Sequence, residues 1–244
     1  MASDDAARAE LAPSGVLRAA INTGNFLLVT GRGPGGEPQG VAPDMAAEVA
    51  RRLGVALTLV PFARPNGLAD ASDDGVWDIG LIGAEPARAA RIAFTSAYAE
   101  IEATYLAPTG SSFGSIDDVD RPGVRVAVLA GAAYDLWLER NLRHAALVRR
   151  PSAEGAMKAL LAGEADALAG LRPALLDEAE RRPGTRVLAG RFTAVQQAIG
   201  TRRENVAGAR FLQTFVTEAI ASGLVAELIE RHQVAGRLSV AGAG

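Results

Sequence analysis

The sequence predicts an α/β fold with a mainly parallel sheet. Short apolar runs alternate with amphipathic helical stretches along the whole chain. Several of those runs end in glycine, asparagine or proline turns that lead into a helical period. The chain is also long enough, at 244 residues with 49% hydrophobic, to bury the core of one large or two small domains.

Residues 16–21 read as the first strand, ending in the polar turn Asn22-Thr23-Gly24-Asn25. A glycine- and proline-rich stretch, 31–40, precedes a helix at 45–53, with Asp44 as its expected N-cap and Arg51-Arg52 in its last turn. Strands are expected at 55–62, 77–83 and 103–107. A new unit starts near Ser111: a strand at 123–129, a helix at 134–142 opened by Gly131-Ala132-Ala133, a short strand at 147–150 and a helix at 152–162 capped by Ser152. A strand at 166–171, a helix at 173–182 and a strand at 186–188 follow. Two helices, 206–222 and 224–232, are split by Gly223.

Composition excludes several function classes. Acidic and basic residues nearly cancel, 28 against 25, so no electrostatic footprint for nucleic acid or an anionic membrane exists. With no cysteine there is no disulfide framework, thiolate nucleophile or Cys-ligated metal, and the two histidines, His144 and His232, are too far apart for a metal motif. Both are expected at the surface. No cofactor is implied. No apolar run approaches the ~20 residues of a membrane span. The first 15 residues, acidic and alanine-rich, lack the form of an export signal, so cytoplasmic and exported forms both remain open.

Gly31-Arg32-Gly33-Pro34-Gly35-Gly36 matches a dinucleotide fingerprint by letter, but Pro34 and Pro38 break it before any helix, and it reads as a hairpin loop. More informative is an internal echo. Residues 77–88 (WDIGLIGAEPAR) and 165–175 (ADALAGLRPAL) share an aspartate, an apolar strand, a glycine and an arginine near a proline. Each sets an arginine, Arg88 or Arg172, just past the carboxyl end of a buried strand, the edge where open α/β sheets bind ligands. Either guanidinium could grip a carboxylate bidentately or merely order its loop through a salt bridge. Gly131, Ala132 and Ala133 place backbone amides at a helix start, which is an anion site or an ordinary turn. Asn22, Asn25 and Gln196 could donate to and accept from a polar ligand, and Tyr134 could cover an apolar ligand face. Glu85, Glu100 and Glu102 are the acidic cluster near this edge, from which acid–base chemistry would have to recruit. Trp77, Phe94, Tyr98 and Tyr105 are expected in cores.

Several segments in order resemble the family 3 periplasmic solute-binding proteins of ABC transporters, the polar amino-acid type. They are VLRAAINTGN, GEPQGVAPDMAAEVARRLGV, WDIGLIGAEPARAARIAFTSAY, VRVAVLAGAAY and the closing stretch from AIGTRRENV to LIERH. The resemblance implies a two-lobed periplasmic-binding-protein-like fold of type II, with lobe 1 at 1–107 and 194–244, lobe 2 at 108–193, and two crossing hinge strands. It further implies a non-catalytic protein that closes on a small polar solute in an interlobe cleft. An ABC permease would be its partner, the periplasm its compartment, and a monomer its form. The family's carboxylate-binding arginine falls on Arg88; its first-strand contacts fall on Asn22 and Asn25, and the residues preceding its arginine include Gly83. Its second-lobe Ser/Thr falls on Ala132, beside Tyr134. The aspartate that often holds a ligand's α-ammonium falls near Leu171, beside Arg172. A buried ammonium without that acid is costly, so an organic carboxylate lacking a free α-ammonium is expected. The family is also similar to cyclohexadienyl dehydratases, for which Glu85 would be the natural acid, and a freestanding sensor domain is a third possibility.

Overall fold

The computed structural model describes residues 2–242, which form two compact units. The first comprises the chain to Glu100 and again from Gln196; the second is Ile101–Val195. The expected boundaries, 107/108 and 193/194, lie within the same two strands that carry the chain between the units.

In the first unit, helix α1 (Ala2–Leu11) leads into strand β1 (Val16–Asn22), the hairpin β2 (Gly31–Arg32) and β3 (Pro38–Gln39), helix α2 (Val41–Leu53) and strand β4 (Ala56–Phe62). Helix α3 (Pro65–Asp70), strand β5 (Ile79–Gly83), the one-turn helix α4 (Pro86–Ala89) and strand β6 (Ile92–Phe94) follow, and β7 (Ala99–Pro108) passes to the second unit. There the chain forms β8 (Arg125–Leu129), α5 (Ala133–Asn141), β9 (Ala146–Arg150), α6 (Ala153–Leu161), β10 (Ala167–Leu171), α7 (Arg172–Arg181) and β11 (Thr185–Val187). Strand β12 (Thr193–Arg202) returns to the first unit, which ends with α8 (Val206–Ala221), α9 (Leu224–Arg231) and β13 (Ser239–Val240).

The first unit's sheet runs β4-β1-β5-β12, with β1 parallel to both β4 and β5, and β12 antiparallel to β5. The second unit's runs β9-β8-β10-β7, with β8 parallel to β9 and β10, and β7 antiparallel to β10. Alternation of parallel strand and helix explains both: a parallel neighbour needs a crossover, and the helices supply it. Their inward faces make separate cores. Trp77, Leu68, Ile82 and Ile92 pack in the first, where the Trp77 indole N–H donates to the Leu68 carbonyl at 3.2 Å. Tyr105, Phe113, Val126, Val128 and Leu138 pack in the second. Trp77, Tyr98 and Tyr105 are buried as expected, and Phe94 is half-buried.

Two local expectations change. Helix α2 starts at Val41, with Gly40 at its N-cap, rather than at Met45 after Asp44. Pro43 lies in the first turn, where a missing N–H is harmless. Gly40 has φ 148°, and a Cβ there would sit 2.3 Å from the Leu28 carbonyl oxygen, so only glycine makes this entry. Asp44, freed from capping, meets His232 Nε2 at 2.8 Å, so His232 is a largely buried tie between α9 and α2 instead of a surface residue. The acidic N-terminal stretch, read only for export, forms α1; its Ala7 and Leu11 are buried, and Glu10 accepts from the Gly208 N–H at 2.8 Å. Gly31–Gly36 opens a hairpin, as expected. Among the described residues, no single helix is long and apolar enough to cross a membrane.

Candidate functional site

The carboxyl ends of β1 and β5 lie side by side in the first unit, because the two strands are parallel neighbours. At the end of β1 the polar turn folds on itself. Asn22 Oδ1 accepts from the Gly24 N–H at 3.2 Å, and Asn25 Oδ1 accepts from the Leu27 N–H at 3.2 Å. Both amide oxygens thus shape the turn, the role short polar side chains commonly take.

At the end of β5 the chain builds a tighter cluster. The Ala84 N–H donates to the Gln196 carbonyl at 2.7 Å, which fixes the exit from the strand against β12. Glu85 then precedes Pro86, whose fixed φ starts the short turn of α4. That turn swings Arg88 back beneath the strand end, where its Nη1 donates to the Gly83 carbonyl at 2.6 Å. Arg88 is only 5% exposed and Glu85 8%. Burial pulls the Arg88 guanidinium down to about 10, against the charges of Glu85 and Asp70, which favour the cation. It stays protonated at neutral pH. Gln196 completes the cluster, its Nε2 donating to Glu100 Oε2 at 3.0 Å. Gly83, Glu85, Arg88 and Gln196 are therefore brought together at one strand end. Asp78, at the opposite end of the strand, pairs with Arg18.

The second unit's strand ends are arranged differently. After β8, Gly131 adopts φ 71°, and α5 begins with Ala132 as N-cap. Two of the amides expected to greet an anion are already used: the Gly131 N–H donates to Asp135 Oδ2 at 2.8 Å, and the Ala132 N–H to the Leu129 carbonyl at 3.2 Å. Asp135 is fully buried and pairs with Arg149 Nε at 2.9 Å, so this helix start carries an internal carboxylate. Tyr134 packs against Ala103, Ala133 and Val195 with Leu171 and Phe192, and burial raises its phenol. Arg172, the first residue of α7, donates from Nε to Glu102 Oε2 at 2.5 Å and from Nη2 to the Gly190 carbonyl. Arg191 Nη1 reaches the other oxygen of Glu102 at 3.3 Å. Among the described residues, no group of three His, Cys, Asp or Glu side chains is arranged to hold a metal ion.

Sequence reasoning missed Arg149, Arg191 and Phe192. An aspartate three residues into a helix that follows Gly-Ala-Ala was the available signal for the Asp135 contact. Nothing local marked Arg191, whose partner Glu102 lies 89 positions away in sequence.

The fold has well-defined relatives. A crystal structure of a mutant of ArgBP from T. maritima superposes with a TM-score of 0.73 at 23% identity, covering 93% of this chain and 99% of that one. A binding component of an ABC transporter from Wolinella succinogenes, complexed with lysine, gives 0.73 at 22%, covering 89% and 95%. The shared fold is that of type II periplasmic-binding proteins. In sequence, a cyclohexadienyl dehydratase from Pseudomonas aeruginosa is 30% identical over 157 residues, 63% of this chain, and the match spans 58% of that relative's length. The family model of the bacterial extracellular solute-binding proteins, family 3, matches residues 25–234, and the chain belongs to that family.

Proposed function

We propose that this protein captures a small polar solute bearing a carboxylate and delivers it to an ABC permease from the outer side of the cytoplasmic membrane. The observation that carries the reading is Arg88, a desolvated cation held at the carboxyl end of β5 by the Gly83 carbonyl. A guanidinium that has given up water, and whose proton affinity has fallen for that reason, gains strongly from an anionic oxygen pair. Gly83, Glu85 and Gln196 would orient the solute beside it. From the second unit Tyr134 and Arg172 would contribute, and from the β1 turn Asn22 and Asn25.

The solute is expected to lack a free α-ammonium. The position where the family often carries an acid is Leu171 here, and the next residue is the cation Arg172, already paired with Glu102. An ammonium placed there would be desolvated beside a like charge. Titration calorimetry with L-arginine, L-lysine and their des-amino acids tests this: the des-amino acids bind more tightly, whereas submicromolar binding of any ordinary amino acid overturns it. Once a solute is in hand, Arg88→Ala costs about 2–5 kcal/mol of affinity, about 30-fold or more in Kd. Arg88→Lys, which keeps the charge but loses the fork, falls between. Unchanged affinity in both variants would remove Arg88 from the site.

A second reading has one specific observation in its favour: Glu85 is a buried carboxyl beside Arg88, in a chain 30% identical over 157 residues to a dehydratase. Under it, cyclohexadienyl acids would be turned over and Glu85→Gln would abolish turnover with binding retained. Binding without turnover decides for the receptor.

A further inference from the structure

The contact between Glu102 and Arg172 has the form of an occupied anion site. Glu102 lies on β7 and Arg172 directly follows β10. The antiparallel register Leu171↔Ala103 sets the two side by side at the ladder's end. The Arg172 guanidinium is oriented before any solute arrives: Nη2 is bound to the Gly190 carbonyl, and that carbonyl also accepts from Thr104 Oγ1 at 2.9 Å. Nε carries the carboxylate. Arg172 is one-quarter exposed, and no bond among the described residues is shown to its Nη1. Glu102, for its part, has a second cationic neighbour, Arg191, at the longer distance of 3.3 Å on its other oxygen. One carboxylate is thus held tightly by a preset guanidinium and loosely by an exposed one.

We propose that Glu102 is an internal stand-in for an anionic group of the solute, and that Arg172 is the anion site it guards. An incoming carboxylate or other small oxyanion takes the Arg172 fork, while Glu102 turns fully to Arg191 and remains paired throughout. Exchanging one carboxylate for another on a prearranged guanidinium leaves no charge stranded. It also adds selectivity, because a neutral or cationic group cannot displace Glu102. This deepens the reading of the second unit's strand ends as solute-contacting, and rests on it.

Inorganic sulfate and acetate, used as probes, test the site without knowledge of the natural solute. Dissociation constants come from nuclear magnetic resonance titration of arginine Nε–H signals, with the Arg172 signal assigned by its loss in Arg172→Gln. Both probes move that signal in the unsubstituted protein. Glu102→Gln tightens sulfate binding about tenfold, and adding Arg172→Ala erases the gain. Arg191→Ala weakens sulfate binding more in the presence of Glu102 than in Glu102→Gln. No gain in Glu102→Gln, a gain that survives Arg172→Ala, or an equal effect of Arg191→Ala in both backgrounds overturns the proposal. So does a Glu102→Gln protein that fails to fold while the unsubstituted protein's Arg172 signal ignores both probes. A response to sulfate alone would make the site one for tetrahedral anions and overturn the exchange of one carboxylate for another. Failure of every organic carboxylate in calorimetry, with the sulfate results intact, would strike the proposed function and leave the Arg172 site standing.

Discussion

The two units tie their parallel strands together with the same device at one end and diverge at the other. In the first, Asp78, just ahead of β5, accepts from the Arg18 backbone N–H at 2.8 Å and from its Nε at 3.0 Å, while Arg18 Nη1 reaches the Gly75 carbonyl at 2.6 Å. In the second, Asp166, just ahead of β10, accepts from the Arg125 N–H at 2.8 Å and Nε at 3.2 Å, and Arg125 Nη2 reaches the Gly163 carbonyl at 2.8 Å. Each aspartate returns its own N–H to the carbonyl of its arginine. The clamps differ in cover. The Asp78 side chain is 3% exposed, roofed through its carbonyl by Thr201 Oγ1 and, behind that, Asn205; that of Asp166 is 37% exposed. At the carboxyl ends no such likeness holds: Arg88 is buried against a carbonyl, and Arg172 is pinned by a carboxylate. The amino ends share one stabilising clamp; the carboxyl ends, which differ, carry the groups proposed above to meet solute.

The sharpest way to break the comparison is to delete each aspartate. Asp78→Ala leaves the Arg18 backbone N–H and guanidinium without their buried carboxylate, and is expected to cost about 3 kcal/mol, a value already discounted for the partly exposed Arg18. Asp166→Ala releases groups that solvent can satisfy and should cost less than half as much. Urea unfolding of both variants measures the difference. Equal losses would mean that burial does not distinguish the clamps.

The echo between residues 77–88 and 165–175 was legible because strand, glycine and arginine recur in the same order. Only half of its meaning was. The aspartates open both segments, yet their partners, Arg18 and Arg125, lie 60 and 41 positions away, and no local rule links them. Strand and helix positions followed from the apolar pattern: central strands such as β5 and β10, buried along their length, read as continuous apolar runs, while the helices bury one face. The start of α2 did not, since Asp44 looks like a cap until His232 appears from the far end of the chain to claim it. At the candidate site, Glu85 and Arg88 were read from their place just past β5, and Gly83 from the resemblance to a known family. Gln196 was read from its own amide chemistry; the strand pairing that sets β12 beside β5 is non-local, and nothing near Gln196 in sequence marked it.

Alkaline titration separates the units next. All three tyrosines, Tyr98 in the first unit and Tyr105 and Tyr134 in the second, have phenols raised by burial above their ordinary value near 10. Asp120 adds to the rise at Tyr105 and Asp135 at Tyr134. A phenol raised in the folded state contributes stability in full below pH 10, and loses it as pH climbs toward the folded value, because the unfolded chain sheds the proton first. Arg88 has the opposite sign: lowered to about 10 when folded, it loses its proton before the unfolded chain does and adds stability as pH rises from there. Three phenols outweigh one guanidinium, so stability falls above pH 10. Tyrosinate absorbance should show no step near pH 10 until the protein unfolds. In Tyr98→Phe both remaining phenols report the second unit. A step near pH 10 in the unsubstituted protein that Tyr98→Phe retains would show the second unit to be the more open of the two.

The smallest effect distinguishes the two histidines, one in each unit. His232 is largely buried, with Nε2 on Asp44 at 2.8 Å and Nδ1 near Thr30 Oγ1 at 3.4 Å, and so joins the end of α9, α2 and the residue just ahead of the hairpin. His144 is exposed, and the contact that matters there is its backbone N–H, caught by Asp120 together with those of Arg143 and Ala145. Those three donors hold the Asp120 carboxyl below its ordinary range although burial works against them. The second unit therefore fixes its turn with a side chain on backbone, and the first fixes its terminal helix with side chain on side chain. His232→Ala should cost about 1 kcal/mol, the worth of a partly buried hydrogen bond, while His144→Ala stays within about 0.5 kcal/mol of zero. Unfolding midpoints of the two variants, compared in the same buffer, measure this contrast. A loss in His144→Ala matching that in His232→Ala would show that the imidazole, and not the amide, does the holding at the Asp120 turn.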